Sequence, residues 1–169
     1  MRGHTDDNFC DASGEVTMRF IDSIFVHCSA STWGCALVID DWHKARGWTG
    51  IGYHYVILNG CPYETSKYDY VLDGQIESGR AIEEIGAHAR GANRRSIGVC
   101  LIGGSSSTWH PSPNQLNALT FLCKDLMRRY NLEVNDIFGH CEISDYNPAF
   151  STKKTCPVMS MPKFRACLS

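Results

Sequence analysis

Apolar positions in this chain fall into short, well separated blocks. Ile24, Phe25 and Val26 form a continuous run that ends at His27, the pattern of a buried strand opening into a loop. Residues 29–34 read as that loop. Over residues 35–46, Leu37, Val38, Asp41, Trp42 and Ala45 share one helical face, and Gly47 stops the helix. Residues 53–58 predict a second strand, closed by the Asn59-Gly60 turn dipeptide. Residues 68–72 predict a third, followed by an Asp73-Gly74 turn and a partner segment at 75–78. Residues 97–102 are almost wholly apolar and end at Gly103-Gly104, which suits a central strand covered on both faces.

The clearest helix spans residues 113–130. Ser112 is its N-cap, Pro113 its first residue, and Gln115 completes a capping box. Leu116, Leu119, Cys123, Leu126, Met127 and Tyr130 recur at three- and four-residue steps, and Asn131 can end it. Residues 134–138 predict a short strand delivering His140. Residues 144–151 read as loop, and a short helix closes the tail. Strands and helices alternate irregularly. The expected fold is therefore α/β, a single domain with a central mixed β-sheet flanked by helices.

A length of 169 residues supports one domain. Residues 1–17 are polar and aperiodic and read as a flexible N-terminal arm, leaving 18–169 as the domain. Hydrophobic residues make up 43% and charged residues 20%, a globular balance. The net charge of −2 argues against a polybasic nucleic-acid binder. Residues 1–80 carry 6 basic and 11 acidic groups, residues 81–169 carry 10 and 7, so any basic face lies in the second half. No apolar run approaches the roughly 18–20 residues of a membrane span, so no membrane anchor is expected. Asp6, Asp7, Asp11 and Glu15 leave no secretory signal near the start. Nine cysteines occur without a CxxC pair. Most read as small buried hydrophobes in a reducing compartment, and the set reads neither as a zinc ribbon nor as a disulfide framework. A monomer is expected.

Of the seven histidines, His4 and His110 lie in polar context and His43 reads as helix packing. His27, His54, His88 and His140 follow apolar runs or sit in glycine-rich loops, where site residues converge in α/β folds. A catalytic zinc needs three protein ligands and an open position. His27, His140 and Cys156 are candidates, but separations of 113 and 16 residues are permissive and not specific. Glu142 reads equally as an acceptor for a ligand imidazole or as a salt-bridge partner. Cys28 should point away from His27, since strand neighbours face opposite sides, which disfavours a Cys–His peptidase. Trp33, Trp48 and Trp109 could line a sugar groove or pack the core. Arg90, Arg94 and Arg95 could meet carboxylates.

Six segments add a stronger signal: IFVHCSAS, GYHYVI, DGQIESGR, GAHARGANRRSIGVCLIGG, GHCEI and KTCP, in that order. Together they resemble the type 2 N-acetylmuramoyl-L-alanine amidase family, in particular the amidase-type lysozymes of bacteriophages. Bacterial muropeptide-recycling amidases and animal peptidoglycan recognition proteins are more distant likenesses. The resemblance runs from about Phe20 to Pro157. It implies zinc held by His27, His140 and Cys156, with Tyr53 and Lys154 assisting catalysis. It places His88 and Asn93 in a loop lining the substrate groove. Other branches use a Glu at the position of Cys100, which cannot serve as a carboxylate base, so the chain resembles the Tyr-using branch.

The implied activity is hydrolysis of the amide between N-acetylmuramic acid and the L-alanine of the stem peptide in peptidoglycan. Such an enzyme would be a phage or prophage endolysin, made in the host cytoplasm and reaching the wall through a holin or another membrane lesion. Alternatives are a cytoplasmic muropeptide-recycling amidase, a non-catalytic peptidoglycan-binding module, and a cysteine-based redox protein. The binding modules lose the cysteine ligand, which this chain keeps as Cys156. Two segments are longer than in the phage relatives. About a dozen residues are added around Asn59–Tyr68, and Asp145–Ser151 is extra. Long loops beside a site are often functional.

Overall fold

Five strands and four helices account for the architecture of the computed structural model, which describes residues 19–168. The arm expected at residues 1–17 lies outside the described residues. In chain order the elements are β1 (Ser23–Cys28), α1 (Ala36–Lys44), β2 (Tyr55–Asn59), β3 (Asp73–Ser78), β4 (Ser96–Leu101), α2 (Pro113–Tyr130), β5 (Ile137–Gly139), α3 (Ile143–Tyr146) and α4 (Met161–Ala166). They form one mixed sheet in the order β3-β2-β4-β1-β5. β1 is parallel to both β4 and β5, β2 is parallel to β4, and β3 is antiparallel to β2 at the edge. The expected α/β domain with a central mixed sheet and flanking helices is what the chain forms.

Side-chain alternation along β1 divides the core. Ile24 and Val26 join Ile97, Val99 and Leu101 beneath Leu119, Cys123 and Leu126 of α2. Burying each such leucine or isoleucine contributes about 1.5–3 kcal/mol. On the opposite face, Ile39 of α1 packs with Val56, Cys100 and Ile102, and Phe25 packs with Ala89, Ala92 and Ile143. His27 follows Phe25 on that second face, beside Cys100 in the β1–β4 register. α2 is capped as its sequence predicts: Ser112 accepts from the Gln115 amide, Gln115 reaches back to Ser112, and Asn131 ends the helix at φ 52°.

Three local expectations need correction. Residues 68–72 are irregular chain and turn, not strand, and the strand begins at Asp73, where a turn dipeptide was expected. Tyr70 and Val71 are 75% and 65% exposed, so their apolar character reflects no burial. Asp73 is instead buried and accepts from Tyr68 Oη at 3.0 Å and Ser112 Oγ at 2.7 Å, which fixes the start of β3. The strand expected at 134–138 is a 3-10 turn over Val134–Asp136 followed by the three-residue β5. The loop expected from 144 begins with the short helix α3.

Arg19 fastens the chain before β1. Its guanidinium donates to the carbonyls of Ile82, Asn93, Arg94 and Ser96 at 2.9–3.1 Å and lies 3.1 Å from His54 Nε2. One cation thereby closes the floor of the segment between β3 and β4. The eight cysteines among the described residues are free, and Cys28, Cys35, Cys100 and Cys123 are buried.

Candidate metal centre

His27, near the end of the interior strand β1, is completely buried. His140 opens the turn after β5, and β5 pairs directly with β1. The two Nδ1 atoms stand 3.1 Å apart. Cys156 comes from the segment before α4, and its Sγ accepts from the Cys28 amide at 3.0 Å. One donor atom from each of His27, His140 and Cys156 lies within 4.8 Å of the others. The sheet therefore brings together three residues that the sequence spreads over 130 positions.

This donor set fits a zinc ion. Zn–N bonds of about 2.0–2.1 Å on a tetrahedral ion separate two nitrogens by about 3.3 Å, close to the observed Nδ1–Nδ1 spacing. Both imidazoles are held in the neutral, ligating form. Burial lowers His140 to about 4, helped by the positive Lys154. Burial drives His27 well below its ordinary value, with His88, His140 and Lys154 adding to it. The Cys156 thiol is pushed up, first by its contact with the Cys28 thiol and then by burial. A cation must therefore displace its proton on binding.

Tyr53 stacks at a tilt against His27, ring centroids 5.1 Å apart, and against His43 at 5.5 Å. Burial raises its phenol well above 10, so it stays a hydrogen-bond donor at neutral pH. His43 is itself fixed by accepting from the Gly52 amide at 3.0 Å. Lys154 is exposed and lines a cavity of about 610 Å³ whose wall includes His140, Trp48, Arg90, Phe150 and Thr152. His88 and Asn93 also line it. Asn93 Oδ1 is occupied, however, accepting from the amides of His88 and Ala89 at 2.9 and 2.7 Å.

The remaining candidates separate cleanly. Glu142 forms a two-point ion pair with Arg165 at 2.8 and 2.9 Å and accepts from the Gly139 amide, so it braces the turn that carries His140. Arg95 pairs with Asp22 and lies over Phe20, whereas Arg90 lines the cavity over the Phe150 ring. Trp48 reaches the cavity, Trp33 packs on Trp42, and Trp109 is seated against Gly103. Phe150, Ser151 and Thr152 were missed as site residues. Nothing in their residue types or spacing carries a chemical signal.

The N-acetylmuramoyl-L-alanine amidase family matches residues 17–158. The chain belongs to that family. The endolysin of Klebsiella phage KP32 is 32% identical over 139 residues, 78% of this chain and 82% of that protein. The endolysin of Escherichia phage T7 is 33% identical over 141 residues, 79% and 83% of the two chains. Among solved structures, the N-acetylmuramoyl-L-alanine amidase LysC from Clostridium intestinale URNW superposes with a TM-score of 0.71 at 26% identity, covering 96% of this chain and 94% of that one. The resemblance carried by the six ordered segments is borne out, and in this amidase donor atoms of His27, His140 and Cys156 lie within 4.8 Å of one another.

Proposed function

We propose that the amidase is a zinc-dependent peptidoglycan hydrolase that cleaves the bond between N-acetylmuramic acid and the L-alanine of the stem peptide. The convergence of His27, His140 and Cys156 donor atoms within 4.8 Å, beside a cavity open to substrate, carries this reading. Zinc bound there would supply a nucleophile at neutral pH and polarise the scissile carbonyl.

The chain's own groups complete the chemistry. The Tyr53 hydroxyl donates a hydrogen bond to charge developing on the carbonyl oxygen, and burial keeps that donor protonated. Lys154, at the cavity edge, adds positive charge on the same side. Arg90 and the Phe150–Thr152 segment, which pack against one another, line the groove that receives the stem peptide.

The biological role that fits the phage relatives is host lysis. The enzyme is then made in the cytoplasm and meets the wall once the membrane is breached. No helix among the described residues is long and apolar enough to cross a membrane.

The test is hydrolysis of purified sacculi, read as new L-alanine amino termini, before and after chelator treatment. Activity should vanish with chelator and return with zinc. Binding to sacculi without new amino termini would reduce the protein to a recognition module. Cleavage confined to small soluble muropeptides would move its work from lysis to recycling.

A further inference from the structure

His88 forms part of the cavity wall, yet it is only 8% exposed and both of its ring nitrogens are engaged inside the protein. Its Nδ1 lies 3.1 Å from His27 Nε2. Its Nε2 lies 3.5 Å from Ser96 Oγ, the longest link of the chain. The Ser96 hydroxyl donates to the Ala92 carbonyl at 2.8 Å.

The protons in this chain can be assigned from its end. A carbonyl only accepts, so the single Ser96 proton is committed to Ala92. The Ser96 oxygen is then an acceptor, and His88 Nε2 carries the proton that faces it. A neutral imidazole has one N–H, which leaves His88 Nδ1 as an acceptor. His27 Nε2–H donates to it, and the His27 lone pair is left on Nδ1. That nitrogen is the one facing His140 at 3.1 Å.

The seat of the His88 ring is rigid. A Cβ at Gly98 or at Gly86 would come within 2.5 Å of it. Asn93 clamps the backbone amides on either side of the loop position. The His27 and His88 rings meet edge-on at 5.0 Å.

We propose that His88 is a positioning residue of the metal centre, setting the tautomer and ring orientation of His27, and not a substrate contact. The inference rests on the zinc reading above. Partners of this kind typically hold about 10–100-fold in metal affinity.

Zinc affinity is measured by chelator competition on the wild type and on His88→Ala, His88→Gln and Ser96→Ala, with folding followed by circular dichroism. His88→Ala should bind zinc about 10–100-fold more weakly. His88→Gln should recover part of the loss, because its Oε1 can accept from His27. Ser96→Ala frees His88 to take the other tautomer and should weaken zinc several-fold. At saturating zinc, KM for a soluble muropeptide should stay within about twofold of wild type.

Wild-type zinc affinity in His88→Ala would overturn the proposal, as would a raised KM with affinity intact. Should His88→Ala fail to fold, unchanged affinity in both His88→Gln and Ser96→Ala overturns it. Failure of the underlying metal reading looks different: the wild type itself would take up no zinc that depends on His27 and Cys156.

Discussion

The backbone amide of Cys28 donates to Cys156 Sγ at 3.0 Å. The third candidate ligand is thus held by the residue that follows the first. An amide donor stabilises a thiolate relative to a thiol, and it aims the sulfur at the strand end where His27 sits. Cys156→Ala should therefore lower zinc content from about one ion per chain to near none, with hydrolysis lost in parallel. Elemental analysis and sacculus hydrolysis on the same samples check this. A variant that keeps both metal and activity would remove Cys156 from the ligand set.

Tyr53 offers a separable contribution. Its ring packs on His27, and its hydroxyl is outside the candidate ligand set. Tyr53→Phe should retain zinc while kcat falls on the order of 10²–10³-fold, the usual loss for one oxyanion donor. Because burial raises the phenol well above 10, its ionisation should leave no alkaline limb in the wild-type profile between pH 7 and 9. Undiminished kcat in Tyr53→Phe would assign the hydroxyl no part in the reaction.

Acid sensitivity follows from His54. Burial lowers it to about 4, and the nearby Arg19 acts in the same direction. Its Nδ1 accepts from the Gly98 amide at 2.9 Å, a bond that a protonated ring cannot make. The unfolded chain takes up this proton near pH 6.5, the native chain only near 4. Stability is thus complete above about 6.5 and is lost as pH falls toward 4. Melting temperatures of metal-free protein at pH 7, 6, 5 and 4.5 should decline steadily. His54→Gln should start lower and decline less.

The loop after His140 makes its own prediction. Phe150 lies against Gly91, which has φ +96° and whose added Cβ would sit 2.4 Å from the ring. Asn147 Nδ2 donates to the Gly91 carbonyl at 3.1 Å. Gly91→Ala should cost about 1–2 kcal/mol for the backbone alone and push Phe150 off the cavity wall. Steady-state kinetics should then show a raised KM with zinc content unchanged. A fall in kcat with KM unaltered would separate this loop from substrate binding.

Much of this architecture was legible in the sequence because local signals agreed with burial. The capping box at Ser112 and the apolar spacing through Leu126 describe α2 nearly residue for residue. The continuous run through Val99 describes β4, which has neighbours on both sides. Residues 68–72 misled because Tyr70 and Val71 are apolar yet exposed. The true edge strand, Asp73–Ser78, has one neighbour and few buried positions, and so little alternation to read. At the site, His27, His140 and Cys156 could be named through the ordered motifs, whereas their spacing alone said nothing. The inward engagement of His88 had no sequence signal, since it depends on which way one ring turns.

Arg19 sets a boundary for anyone wishing to miniaturise this enzyme. It pins four carbonyls from the stretch that cradles His88. A version trimmed beyond it would surrender the scaffolding under its own reactive corner while leaving every reactive group in place. Shortening from the front should not reach Arg19.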